Sequence, residues 1–141
     1  MELKRVVVTG LGAITPIGNT VDEFWTNLVN GVSGAATITR FDPTNFKTKF
    51  ACEVKNFDPL AYFDRKEAKK LDMFAQFAII AAEQAVNDAK FDLEKIDHDR
   101  VGVVWGAGIG GLNTFLEEVR GYVEGGSVPR FNPFFIPKMI V

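Results

Sequence analysis

Cysteine and histidine are almost missing from these 141 residues, where Cys52 and His98 each stand alone. A single thiol excludes an internal disulfide and a cysteine-rich metal site, and a single histidine has no second one with which to build a metal site or a dyad. An excess of one charge over the other is nearly absent as well. Sixteen Lys and Arg face 18 Asp and Glu, a net charge of -2, which excludes a nucleic-acid footprint spread over the whole chain. Long apolar runs are absent too. The longest strongly apolar stretch, Phe77 to Ala82, is far too short to cross a bilayer. Behind Glu2, Lys4 and Arg5 stand only the valines Val6, Val7 and Val8, which do not make a secretory leader. The expectation is a reducing, cytoplasmic setting, with neither membrane nor nucleic acid as partner.

What is present is an ordinary globular mixture. Apolar residues at 47% and charged residues at 24% exclude disorder and suffice for one domain over residues 1–141. Arg5-Val6-Val7-Val8-Thr9-Gly10 reads as a buried strand, and Val101-Gly102-Val103-Val104-Trp105 as a second. Thr20 with Glu23 opens a helix whose apolar side holds Phe24, Trp25, Leu28 and Val29, and Gly31 stops it. Phe50 to Val54 is a further candidate strand. After Asp64 and Glu67, again at capping-box spacing, Leu71, Phe74, Ala75, Ala78, Ala81, Ala82, Ala85, Val86 and Ala89 form one helical stripe. So many alanines let a neighbouring helix or sheet come close. Another helix, Leu112 to Glu124, ends at Gly125-Gly126. Strands alternating with helices define an α/β chain. The final run, Phe134 to Val141, is apolar and uncapped, so the sequence is expected to continue past Val141.

Several features carry potential chemistry. Gly106-x-Gly108-x-x-Gly111 matches a dinucleotide fingerprint as a string, but no strand with a ribose-binding acid follows its helix. A Rossmann-type dehydrogenase is therefore disfavoured and no cofactor is expected. The glycines instead let the backbone pass close to another chain or a substrate. Cys52, mid-strand beside Glu53, reads as a buried structural thiol, because a neighbouring carboxylate disfavours a thiolate. His98, between Asp97 and Asp99, reads as a surface residue. No nucleophile and base pair emerges, and no metal site. Arg65, Lys66, Lys69 and Lys70 fall on one side of a helix. They form either a solvated face or a docking patch for an acidic partner.

Three segments together carry a family resemblance: Lys4-Arg5-Val6-Val7-Val8-Thr9-Gly10-Leu11-Gly12 continuing to Pro16-Ile17-Gly18-Asn19, then Gly106-Ala107-Gly108-Ile109-Gly110-Gly111, then Asn132-Pro133-Phe134-Phe135-Ile136-Pro137. In this order, with the basic Asp64-Arg65-Lys66-Glu67 between them, they resemble the β-ketoacyl-acyl carrier protein synthases. The resemblance implies a thiolase-like layered αβαβα fold, of which this chain is most of the first half. It further implies fatty-acid chain elongation by decarboxylating Claisen condensation of an acyl thioester with malonyl-acyl carrier protein. The family's nucleophilic cysteine and two histidines are expected beyond Val141, so no catalytic residue is assigned in this chain, and Cys52 does not occupy the nucleophile position.

Within the family, Ile109 matches a pocket isoleucine of the type II enzymes that gates the acyl chain. Phe135 matches an aromatic residue lining that pocket across a dimer interface, so a homodimer is expected. Lys66, Lys69 and Lys70 match the patch that meets the acidic acyl carrier protein. A non-catalytic partner subunit, similar to the chain-length factors of polyketide assembly, is the alternative reading.

Overall fold

The computed structural model describes residues 3–92 and 94–140; Met1, Glu2, Leu93 and Val141 lie outside the described residues. The helices are α1 (Val21–Val29), α2 (Arg65–Ala68), α3 (Met73–Ala89), α4 (Leu112–Glu124) and α5 (Phe135–Met139), with 3-10 turns at Pro59–Ala61 and His98–Arg100. The strands β1 (Ala36–Thr37) and β2 (Phe50–Ala51) pair antiparallel, Ala36 opposite Ala51 and Thr37 opposite Phe50. The chain divides into two compact units, Met1–Phe57 with Ile80–Leu93 and Asp58–Ile79 with Glu94–Val141, so that α3 contributes to both.

In the first unit, local chemistry starts and stops α1 where the sequence places it. The Thr20 hydroxyl accepts from the Glu23 amide at 3.2 Å, and Gly31 at φ +68° lies just past the C-terminus. The box closes one residue earlier than expected, because the Glu23 carboxylate accepts from the Asn19 amide at 2.7 Å. The glycine-bearing loop before α1 lies on the alanine stripe of α3. A Cβ on Gly10 would run into Ala85 and Ala89, and one on Gly12 into the carbonyl of Ala81. Two side chains one turn apart on α3 hold the loop there. Asp88 accepts from the Leu11 amide at 2.9 Å, while Gln84 accepts from the Ala13 amide at 3.0 Å and donates to the Asn19 carbonyl at 2.8 Å. Among the described residues, the close approach to Ala81, Ala85 and Ala89 is thus made by a loop, where a helix or sheet was expected.

The two expected strands do not form among the described residues. Neither Arg5–Gly10 nor Val101–Trp105 carries regular secondary structure, and Val6 and Val104 are 89% and 99% exposed. A strand exists only through hydrogen bonds to a neighbour, and no neighbouring strand for either run is found among the described residues. The third candidate strand, Phe50 to Val54, shrinks to Phe50–Ala51 on a two-strand ladder. One ladder covers neither of its faces, so Cys52 is exposed and the expectation of a buried thiol fails. Next to it the Glu53 carboxylate accepts from the Thr39 hydroxyl at 2.7 Å, which with the Thr39 and Arg40 amides holds it below the usual carboxylate range.

In the second unit, the single helix expected after Asp64 is two. Asp64 caps α2, its carboxylate accepting from Lys66 and Glu67 amides at 2.6 and 2.9 Å. The chain then turns at Lys69–Lys70, and Asp72 starts α3, its carbonyl accepting from the Ala75 and Gln76 amides at 3.1 Å. A capping aspartate competes with helix continuation, and here it separates α2 from α3, which carries the stripe from Phe74 to Ala89. By contrast α4 spans Leu112–Glu124 as expected and ends at Gly125-Gly126, where Gly126 has φ +72°.

Candidate functional site

The second unit carries the six candidate binding residues, the basic Arg65, Lys66, Lys69 and Lys70 together with Ile109 and Phe135. Arg65 and Lys66 stand on α2, and Lys69 and Lys70 follow in the turn after it. All four are exposed. The break in the helix therefore leaves them contiguous but not on one helical face. A four-residue helix does not persist alone in water, and two devices hold it. At its start is the Asp64 cap. The amides of Glu67 and Lys66, with the positive charge of Lys70 nearby, keep the Asp64 carboxyl below its ordinary pKa. At its end is Gln76, only 6% exposed, whose amide group donates to the carbonyls of Ala68 at 3.0 Å and Leu71 at 3.3 Å. The first is a carbonyl that the end of α2 leaves without a partner, and the second belongs to the turn that follows. A groove of about 360 Å3 lined by Phe63, Glu67, Lys70, Leu71 and Ile79 lies beside the lysines.

Ile109 and Phe135 sit at opposite ends of α5. Phe135 opens the helix half-buried, stacked between Phe131 at 5.6 Å and Phe115 at 6.3 Å between ring centroids. Tyr122 continues the aromatic row on Phe131 at 5.6 Å. Ile109 is 76% exposed, and the glycine after it meets the other end of the helix: a Cβ on Gly110 would strike the Met139 carbonyl. Phe135 and Met139 are about 6 Å apart along the axis at 1.5 Å per residue. Lys70 joins the two regions. Its ammonium lies 5.8 Å from the centre of the Phe134 ring, a cation–π distance.

Gln76 and the Lys70–Phe134 contact were not found by reading the sequence, and neither was a buried pair, Asp72 with Thr114. The Asp72 carboxylate accepts from the Thr114 hydroxyl at 2.5 Å and its amide at 3.2 Å. A signal for Asp72 existed. An aspartate directly before an apolar helical run is an N-cap, but here the stripe ran through it from Leu71. Nothing local marks Gln76 or Thr114. No group of three or more His, Cys, Asp or Glu that could hold a metal ion occurs among the described residues, nor any helix long and apolar enough to cross a membrane.

Ketosynthases are the class to which this backbone is similar. A solved structure of the ishigamide ketosynthase/chain length factor superposes with a TM-score of 0.75 at 29% identity, covering 95% of this chain and 33% of that one. A type II polyketide acyl-carrier protein in complex with its ketosynthase superposes with the same score at 28% identity, over 98% of this chain and 35% of the other. The fold is thus thiolase-like, shared with these ketosynthases over nearly the whole chain. The sequence model for the beta-ketoacyl synthase N-terminal domain matches residues 3–140, and the chain belongs to that family.

Among curated relatives, the 3-oxoacyl-(acyl-carrier-protein) synthase 2 of Synechocystis is 49% identical over 140 residues, 99% of this chain and 33% of its own length. The proteins of the same name from Vibrio harveyi and Staphylococcus aureus are 45% and 44% identical, over 100% and 97% of this chain and 34% and 33% of their own lengths. The chain spans about a third of the length of the curated relatives it matches.

Proposed function

We propose that this chain is the N-terminal part of a fatty-acid elongating 3-oxoacyl-acyl carrier protein synthase. The observation that carries the reading is the 44–49% identity to synthases of that name along essentially the whole chain. In the reaction, an acyl group is held as a thioester on a cysteine. Malonyl-acyl carrier protein loses its carboxylate as carbon dioxide. The carbanion so formed attacks the thioester carbonyl, a carbon–carbon bond forms, and the cysteine leaves as thiolate. In this reading the nucleophilic cysteine and two histidines belong to the rest of the protein, and Cys52 takes no part.

The share of this chain is recognition. Ile109 gates the acyl chain, Phe135 lines its pocket across the interface of a homodimer, and Lys66, Lys69 and Lys70 dock the acidic acyl carrier protein. Support comes from the exposed lysines held by Asp64 and Gln76, the flanking glycines of Ile109 and the stacked ring of Phe135. The chain-length-factor alternative rests on a structure 29% identical to this chain, well below the identity to the condensing synthases.

The test is condensation by the full-length protein with carrier-linked substrates, for wild type and for Lys66→Glu combined with Lys70→Glu. The expected outcome is turnover by the wild type and slower association with the carrier in the variant, in a salt-dependent manner. Unchanged kinetics of the variant at low salt would make the lysines a solvated face. Absence of condensation by the wild type would refute the enzymatic reading.

A further inference from the structure

The helix α4 begins directly after the glycine loop, and its N-cap is Gly111, which has no side chain to cap it. The missing cap arrives from 42 residues away: Asp72 receives both the amide and the hydroxyl of Thr114 in the first turn of α4. Asp72 is itself fixed, because its carbonyl and its second carboxylate oxygen receive the first amides of α3, from Ala75, Gln76 and Phe74. One aspartate thus starts two helices. Asp72 and Thr114 are 7% and 4% exposed, so a carboxylate deprived of these donors would stay out of water at considerable cost.

This pair borders the backbone that follows Ile109. Gly110 has φ +81°, and Gly111 donates its amide to the Met139 carbonyl at 3.1 Å. A Cβ on Gly111 would lie 2.9 Å from the Met139 Cα and 3.2 Å from the Asp72 carboxylate, so the chain threads between Asp72 and the end of α5 with no space to spare. Upstream the situation is reversed. A Cβ at Gly102, Gly106 or Gly108 would meet nothing within 4 Å. Ile109 therefore sits at the junction of an unsupported run and an anchored one, and its placement is set from the anchored side.

We propose that Asp72 and Thr114 are positioning residues for Ile109, and that their hydrogen bonds set how the enzyme discriminates between acyl chains of different length. The proposal rests on the reading of Ile109 as the gate of the acyl pocket. Loss of the bonds frees the first turn of α4 and the Gly110–Gly111 thread, and the bulk of Ile109 shifts with them.

The experiment uses the full-length enzyme and acyl primers on a small thioester, so that carrier docking is not involved, and reads the ratio of kcat/KM for long and short primers. Thr114→Val, which removes the hydroxyl donor at nearly constant shape, is expected to change that ratio about fivefold, the equivalent of one net hydrogen bond. Thr114→Ser, which keeps the donor, is expected to stay near wild type. Asp72→Asn, which keeps an acceptor but loses the charge, is expected to shift the ratio in the same direction by less, and it decides the matter if Thr114→Val does not fold. An unchanged ratio, with all primers slowed together as the melting temperature falls, would overturn the proposal and leave a purely structural cap. Ile109→Phe is measured in parallel. If it changes the ratio while the Thr114 and Asp72 variants do not, the gate stands and the positioning role falls. If it leaves the ratio unchanged, the gate reading itself falls.

Discussion

Gln76→Leu in the full-length enzyme separates the scaffold of the basic patch from its charge. The substitution leaves every lysine in place and nearly preserves volume, but it removes the two donors that Gln76 presents to the carbonyls of Ala68 and Leu71. At about 0.5–1.5 kcal/mol net for each hydrogen bond, the end of α2 and the turn after it lose roughly 1–3 kcal/mol. Because α2 is four residues long, that loss falls on its local opening and not on the whole molecule. At 1.4 kcal/mol per factor of ten, amide exchange over Lys66–Lys70 is expected to rise on the order of 5- to 150-fold. Hydrogen exchange followed by mass spectrometry reads this directly. Kinetics with paired substrates supply the functional half: KM is expected to rise for carrier-linked malonyl substrate and to hold for the same group on a small thioester. Wild-type exchange over residues 65–70 would refute the argument that Gln76 holds the patch. Faster exchange with unchanged carrier kinetics would separate the patch from docking.

Gly12→Ala places a methyl group against the Ala81 carbonyl and the Ala85 amide, backbone atoms that cannot turn aside, so a loss of about 1–3 kcal/mol is expected in denaturant unfolding; wild-type stability would show that the loop does not lie on α3 this closely. For Asp64, the Glu67 and Lys66 amides and Lys70 depress the folded-state pKa below the unfolded value, so its cap on α2 is fully in place above the ordinary aspartate range and is lost only as pH falls through the lower, folded value. Carboxyl carbon chemical shifts across an acid titration check this, and an Asp64 midpoint at or above that of an unstructured aspartate would contradict it.

Features that depend on a few consecutive residues were determined by the sequence itself. Thr20, Glu23 and Gly31 delimit α1, and Gly125-Gly126 closes α4, because a cap needs only groups within a turn or two of the helix end. The resemblance of the three motif segments was equally legible, and the family match over residues 3–140 bears it out. Only the tertiary structure decided what lies far apart along the chain. The glycine loop is held on α3 across 77 and 71 residues by Asp88 and Gln84, and the start of α4 across 42 by Asp72. The break between α2 and α3 is by contrast local, since Asp72 receives the amides of its own neighbours Phe74, Ala75 and Gln76, and only its second task, at α4, lies out of local reach. The valine runs at 5–10 and 101–105 show the same rule from the other side. β-branched composition makes a segment fit for a strand, but a strand forms only when a second backbone supplies the opposite row of hydrogen bonds.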